Sequence, residues 1–218
     1  MTKQNGLYAP DGATYVTYTD GNGNILNPAK HPGYTVNNWY VPLNYDTTAN
    51  GAATTTNSIR LYPGYVAQTL TISNLGGRVI TPQTSSNIQF AIYANGSGNK
   101  PTGNALVSTA SMAGTVAGTI SSAASVQLPT GLYWFAGNTD TAGIVLTALS
   151  SSTTGSLMNS LIGSATQGNV LGSSSGTLVG YTFAQTFGTW PNLTGQTFGE
   201  SNGVAPYYGI EFQVASIP

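Results

Sequence analysis

The chain has 218 residues, of which five are Lys or Arg and six are Asp or Glu, so its formal net charge is −1. Charged residues make up 5% of the chain, against roughly 25% in a typical soluble domain. Because exposed helices depend on charged outer faces, this composition excludes a mainly helical fold and favours β-structure with a surface of hydroxyls and amides.

The N-terminal part, residues 1–45, is predicted to form a β-rich arm. The turn-forming pairs Asp11-Gly12 and Asp20-Gly21 bracket a stretch of Thr, Tyr and Val, which predicts a small hairpin. A second short strand is expected near residues 37–43. We interpret this arm as the segment that attaches the protein to a larger particle, because a linker separates it from the rest of the chain.

Residues 46–57 form that predicted linker, since they are nearly all small or polar and show no periodicity. Residues 58–218 are predicted to form a jelly-roll-like antiparallel β-sandwich, because many short strands at regular spacing are typical of sandwiches rather than of βαβ units. The strands are expected near residues 58–62, 68–74, 78–81, 87–94, 105–110, 116–121, 124–128, 131–137, 143–149, 177–184 and 208–214.

Alternation and turn chemistry support these strands. Ile88, Phe90 and Ile92 alternate along one strand and are expected on one face. In residues 131–135, either Leu132 and Trp134 or Tyr133 and Phe135 are expected to enter the core. Pro63-Gly64 and Gly76-Gly77 are predicted turns. Residues 156–163 are the one helix-like piece, with apolar residues on a single face.

No catalytic, cofactor-binding or metal-binding residue is predicted. Residues 20–24 alternate oxygen ligands as a calcium loop does, but Ile25 stands where that loop needs Gly and His31 where it needs Glu, so a turn is the better interpretation. His31 is the only histidine and lies in a turn, and no Gly-x-Ser-x-Gly sequence accompanies it. Ser-His-Asp catalysis is therefore not expected.

Hydrolysis of sugars needs two carboxylates across a cleft. The six acidic residues are Asp11, Asp20, Asp46, Asp140, Glu200 and Glu211. The first three lie in apparent turns. A pair among the last three is the one arrangement compatible with a sugar-active enzyme, which stays an alternative of a different class.

The aromatic residues are the candidate contact groups. Exposed Tyr and Trp rings stack on sugar rings, although most aromatic residues fill cores or subunit interfaces. Trp190, Tyr207 and Tyr208 are flanked by prolines and glycines, which makes them the least core-like. We predict that these three contact a glycan or a protein partner.

Several short sequence segments resemble β-sandwich modules in the virion proteins of tailed bacteriophages. The N-terminal Tyr8-Ala9-Pro10-Asp11-Gly12 is similar to an opening of phage fibre modules. The other phrases, in chain order, are Leu61-Tyr62-Pro63-Gly64-Tyr65-Val66, Phe90-Ala91-Ile92-Tyr93-Ala94, Lys100-Pro101-Thr102-Gly103-Asn104-Ala105-Leu106, Leu128-Pro129-Thr130-Gly131-Leu132-Tyr133-Trp134 and a last strand led by Ala205-Pro206.

This resemblance implies a non-enzymatic virion structural protein, of the fibre, spike or tail-associated kind, that presents a surface to the host. A head-decoration or head-fibre protein is the alternative within the same class. The resemblance also implies other virion proteins as partners and a homo-oligomer, with a trimer as the expected form. A host surface glycan is a further expected partner.

Composition also bears on nucleic-acid binding, membrane insertion and the location of the protein. No basic patch is present to neutralise phosphates, so nucleic-acid binding is not expected. No apolar run approaches the roughly 20 residues that span a bilayer, so membrane insertion is not expected. The polar N-terminus lacks an apolar signal region and the chain lacks cysteine. These features predict a virion component that is assembled in the bacterial cytoplasm and released by lysis, with no cofactor.

Overall fold

The described part of the chain is built from short and medium-length β-strands. The computed structural model describes residues 18–19, 25–26, 34–42, 51–149, 162–163, 178–202 and 207–218. The strands are β1 (Tyr18–Thr19), β2 (Ile25–Leu26), β3 (Trp39–Tyr40), β4 (Gly51–Ala53), β5 (Ser58–Val66), β6 (Leu70–Thr81), β7 (Asn87–Asn95), β8 (Pro101–Ser108), β9 (Met112–Ala113), β10 (Gly118–Leu128), β11 (Gly131–Thr139), β12 (Val145–Leu149), β13 (Leu178–Ala184), β14 (Gly199–Asn202), β15 (Tyr207–Tyr208) and β16 (Glu211–Ser216).

The chain divides into two units, Met1–Gly33 and Tyr34–Pro218. In the first, β1 and β2 pair antiparallel with Tyr18 opposite Leu26, which agrees with the predicted hairpin. In the second, two seven-stranded antiparallel sheets pack face to face. The all-β sandwich is thereby confirmed, while its jelly-roll topology stays a prediction.

The sandwich begins earlier than the sequence predicts. Strand β3, from the predicted arm of residues 1–45, pairs with β16. Strand β4, from the predicted linker of residues 46–57, pairs with β12. The linker interpretation was based on side-chain composition, but backbone pairing of strands does not require large or apolar side chains. Residues 34–57 therefore contribute strands to the sandwich that was expected to start at residue 58.

The first sheet, here called the β6 sheet, is organised around its longest strand. Strand β10 runs along one edge of β6, and β16 and β12 follow one another along the opposite edge. Strand β3 lies outside β16, and β4 and β15 pair with β12. The second sheet, here called the β11 sheet, has the order β14-β13-β5-β11-β7-β8, with β9 also paired to β7.

The β11 sheet is buried on both of its faces. Its inner face packs against the β6 sheet, where Ile88, Phe90, Ile92 and Phe135 join one core. Its outer face carries a second core, which includes Ile59, Leu61, Ala91, Tyr93, Trp134, Ala136, Tyr181 and Leu193. The prediction that Ile88, Phe90 and Ile92 share a face is confirmed. In β11, Trp134 enters the outer core, whereas Phe135 joins the core between the sheets with Tyr133 packed against it.

Two predicted turns lie inside strands. Gly76-Gly77 falls in the middle of β6, and Pro63-Gly64 falls in β5. A Cβ at Gly76 would lie 2.8 Å from the carbonyl oxygen of Ile120, and one at Gly64 would lie 2.6 Å from Cε2 of Phe135. The glycines are needed for close approach of neighbouring groups rather than for turning the chain, so this part of the sequence prediction was wrong.

The predicted helix at residues 156–163 falls outside the described residues, apart from Ile162 and Gly163.

Candidate functional site

An open groove lies on the outer face of the β6 sheet, away from the β11 sheet. It has a volume of about 820 Å³, which is within the range of about 300–1,000 Å³ of small-molecule sites. Strands β3, β6, β10, β12 and β16 or their flanking residues contribute to it. Its lining residues are Trp39, Tyr40, Val41, Arg78, Val79, Ile80, Ala117, Gly118, Thr119, Thr147, Gly209 and Glu211.

Strand alternation explains which side chains of β6 reach the groove. Leu75 and Val79 point inward and are fully buried in the core between the sheets. Arg78 and Ile80 therefore point outward, because successive residues of a strand face opposite sides. Ile80 is 38% exposed although it is apolar.

Trp39 is the most distinctive side chain of the groove. Its strand position is fixed by pairing with Gln213 of β16. Its ring lies over Gly76, where a Cβ would be 3.0 Å from Cζ3 of Trp39. The side chain remains 39% exposed. Glycine at position 76 therefore lets the indole lie close to the sheet while part of the ring stays open to solvent.

Side-chain amide hydrogen bonds hold the strands beside Trp39 in position. Asn74 Nδ2 donates to Oε1 of Gln213 over 2.8 Å, and Gln213 Nε2 donates to the backbone oxygen of Asn37 over 3.0 Å. Ser73 Oγ also donates to Oε1 of Gln213. Because Gln213 is directly opposite Trp39 in the strand pair, these bonds tie the position of the β3 segment to β6.

The described residues of the groove include one acid and one cation, Glu211 and Arg78. Glu211 is partly buried, and burial raises the pKa of its carboxyl group. No described residue donates a hydrogen bond to this carboxylate. A carboxylate has several acceptor positions, so Glu211 is able to accept hydrogen bonds from a bound molecule.

The structure places Tyr208 in the core, which corrects the prediction that it contacts a glycan or partner. The side chain is 1% exposed, and it packs on Gly137, where any Cβ would collide with its ring. The guanidinium carbon of Arg60 lies 5.3 Å from the ring centroid, a cation–π distance. Burial raises the pKa of Tyr208, and the charge of Arg60 acts against that rise.

Trp190 is not among the described residues that line the groove. Trp190 is partly buried and packs against the outer core of the β11 sheet, with its ring centroid 6.2 Å from that of Tyr93. The neighbouring Pro191 oxygen accepts a hydrogen bond from the Tyr93 hydroxyl over 3.1 Å. Tyr207 pairs through its backbone with Leu149, and its side chain lies outside the described residues. Their contact role stays a prediction.

The acids proposed as a possible catalytic pair lie on different elements. Asp140 follows β11 and accepts hydrogen bonds from the backbone and side-chain nitrogens of Asn87, each over 2.7 Å. Burial acts to raise the pKa of Asp140, but these bonds and one from Thr141 outweigh it and hold the pKa below its usual value. Glu200 is an exposed residue of β14 in the β11 sheet. Of the three described acids, Glu211 alone lines the groove.

The remaining acids and the histidine fall on residues that are not described. These are Asp11, Asp20, Asp46 and His31, and the calcium-like stretch 20–24 lies there too. In the described ranges, no group of three or more His, Cys, Asp or Glu side chains is arranged to hold a metal ion.

Sequence reasoning missed Trp39. It lies next to Tyr40 in the predicted arm, so neither its pairing with β16 nor the glycine beneath it was evident from the local sequence. The one available signal was Asn37-Asn38-Trp39-Tyr40-Val41, a short run of polar residues leading into aromatic and β-branched ones.

Comparison with known proteins gives no match to any family model, curated protein or solved structure. In the described ranges, the structure contains no helix of the length and apolar character required to cross a membrane.

Proposed function

We propose that this chain is a non-enzymatic structural protein of a tailed-bacteriophage virion. In this proposal it is a fibre, spike or tail-associated component, and its sandwich presents a polar, weakly charged surface to the host. The single observation that supports it best is the groove of the β6 sheet, which a partly exposed Trp39 lines together with apolar residues such as Ile80 and the threonines Thr119 and Thr147.

The composition supports the same proposal. With 11 charged residues out of 218, the surface consists mainly of hydroxyls, amides and backbone. Four of the sequence segments that resemble phage β-sandwich modules lie along strands β5, β7, β8 and β11, which form one continuous part of the β11 sheet. Partners in this proposal are other virion proteins and further copies of the chain, with a trimer as the assembly.

The groove favours a contact surface over a catalytic centre. Sugar hydrolysis uses a pair of carboxylates, and in the described part of the chain Glu211 is the one carboxylate that lines the groove. The non-enzymatic proposal predicts no new reducing ends when the protein is incubated with host polysaccharide. Release of reducing ends that disappears with Glu211→Gln would support the enzyme instead.

Labelling of intact virions with gold-tagged antibody against this chain tests the proposed location. Label at the tail or its fibres is the expected result. Label on the head would replace the proposal by head decoration or a head fibre. Absence of label, together with absence of the chain from purified particles by mass spectrometry, would overturn a virion role.

A further inference from the structure

The groove on the β6 sheet combines an aromatic ring with neutral polar groups. Trp39 supplies a partly exposed ring, and Thr119 and Thr147 supply hydroxyls. Among the described lining residues, Arg78 and Glu211 supply one charge of each sign, so these residues together carry no excess charge. A complementary ligand is therefore neutral, with one apolar face and several hydrogen-bonding groups around its edge.

We propose that this groove binds a neutral saccharide, with one sugar ring stacked on Trp39. A pyranose fits the requirement because its C–H groups form an apolar face while its hydroxyls point outward around the ring. Aromatic side chains contribute a large apolar surface of fixed geometry to such contacts. The inference deepens the proposed function and rests on it for its biological meaning, but binding itself is testable on the isolated protein.

The position of Trp39 supports stacking. The ring lies directly above Gly76, and the amides of Asn74 and Gln213 fix the strand from which it projects. A ring held in this way loses little conformational freedom when a ligand binds, which lowers the free-energy cost of binding.

The polar groups of the groove match sugar hydroxyls. Glu211 is partly buried, and no described residue donates a hydrogen bond to its carboxylate. Hydroxyl donors from a ligand would satisfy this acceptor, and hydrogen bonds to a charged acceptor are stronger than neutral ones. Thr119 is exposed, so its hydroxyl is free to donate or accept at the other side of the groove.

The size and charge of the groove argue against other ligands. Its volume of about 820 Å³ accommodates a small organic ligand, such as two linked sugar rings. Phosphates and acidic glycans are favoured by several cations, whereas Arg78 is the single cation among the lining residues that the structure describes. An acidic glycan is therefore an outcome that counts against the proposal.

The test uses the full chain on an array of neutral oligosaccharides of glucose, galactose, mannose and N-acetylglucosamine, with uronic-acid and sialic-acid oligosaccharides beside them. The expected result is binding to one or more neutral sets. The strongest bound saccharide is then titrated by calorimetry against the wild type and Trp39→Ala. We expect Trp39→Ala to weaken binding by about tenfold or more, in line with the usual contribution of a stacked aromatic ring.

Tyr65→Ala is the matched control. Tyr65 is 37% exposed, close to the 39% of Trp39, but it belongs to β5 in the other sheet. Its replacement should leave the dissociation constant unchanged. Thr119→Ala is a second, milder variant that changes one exposed hydroxyl of the groove, and it should weaken binding several-fold with the fold intact by circular dichroism.

Two kinds of result would contradict saccharide binding in the groove. Binding to no saccharide, or to acidic ones alone, would overturn the inference. Equal binding by wild type, Trp39→Ala and Thr119→Ala would place the site elsewhere and would also overturn it. The two proposals can fail independently. If the chain binds a neutral saccharide but is absent from virions, the virion role alone is overturned. If the chain is found on virions but binds no neutral saccharide, the assignment of the groove alone is overturned.

Discussion

Glu211 shows how one side chain of the groove affects the whole sandwich. It lies opposite Gly76 in the β16–β6 pair, and burial raises the pKa of its carboxyl group. A raised pKa means that the folded state holds the proton more tightly than the unfolded state. Between the unfolded pKa, near 4.5, and the folded pKa, the free energy of unfolding therefore falls as the pH rises.

We predict that Glu211→Gln stabilises the protein at pH 7 and not at pH 4. At pH 7 the wild type holds a partly buried negative charge that the amide lacks. At pH 4, below the ordinary pKa of 4.5 and the raised pKa of the folded protein, the wild-type carboxyl group is mostly neutral. Because the side chain keeps contact with solvent, the gain is at most about 1 kcal/mol. Urea unfolding of both proteins at the two pH values measures it.

Glu200→Gln is the matched control for that experiment. Glu200 is exposed on β14, so its replacement should change the free energy of unfolding equally little at both pH values. A Glu211→Gln variant that is less stable than the wild type at pH 7 would mean that the charged carboxylate is stabilised in the folded protein, against the burial argument.

The sequence did not determine which of the aromatic residues are exposed and which are buried. Tyr208 stands next to Gly209 and close to Pro206, which suggested a loop, yet it is buried beside Arg60 and Gly137. Trp39 is open to solvent although it lies in a strand. Burial of a side chain in this protein depends on its cross-sheet neighbours, which are distant in sequence and leave no local pattern.

At the level of the strands, alternation of apolar residues predicted strand positions best where all the apolar residues of one strand face enter the same core. The strand at residues 87–94 was placed closely for this reason, since β7 spans Asn87–Asn95. Strand β6 was divided in two by the sequence reading because Gly76-Gly77 has the composition of a turn. Glycines in a strand and glycines in a turn look alike in sequence, and only the neighbouring chain distinguishes them.

Strand β3 joins the segment 34–42 to the sandwich. The rings of Tyr34 and Tyr40 meet edge to face with centroids 5.0 Å apart, and both contact Phe212 of β16. The backbone nitrogen of Val214 donates to the oxygen of Asn38 over 3.0 Å. These contacts make the segment part of the core between the sheets, although the sequence assigned it to the arm.

We predict that a chain starting at residue 34 folds like the full-length protein and that a chain starting at residue 46 is clearly less stable. The shorter chain loses the buried Tyr34 together with Tyr40, and loss of large buried aromatic groups costs about 3–5 kcal/mol. Thermal and urea unfolding of the two truncated proteins measure the difference. Equal stability of the two would show that β3 contributes little to the sandwich and would restore the boundary predicted from sequence.

At the scale of the whole molecule, the two sheets have different roles in this account. The β11 sheet is buried on both faces, by the β6 sheet on one side and by the residues around Leu193 and Trp190 on the other. The β6 sheet is buried on its inner face and carries the groove on its outer face. The β11 sheet thus serves mainly stability, and the β6 sheet offers the contact surface.

Composition predicted the class of the fold because it limits which surfaces the chain can form. With so few charges, exposed helices are excluded and a sandwich of hydroxyl- and amide-rich strands remains. Composition does not determine strand order. The position of the groove could therefore not be predicted from it, because the groove depends on how β3, β10, β12 and β16 are arranged around β6. That arrangement is a property of the assembled sheet.

We propose that, on the virion, the β6-sheet groove of this chain faces outward from the particle. Hydroxyl-radical footprinting of intact virions, read by mass spectrometry, tests it most directly, with the isolated protein as reference. Trp39 should be oxidised to the same extent on the particle and in isolation, while Trp134, which is fully buried, should stay unmodified in both. Protection of Trp39 on the particle, or absence of the chain's peptides from purified virions, would contradict the account.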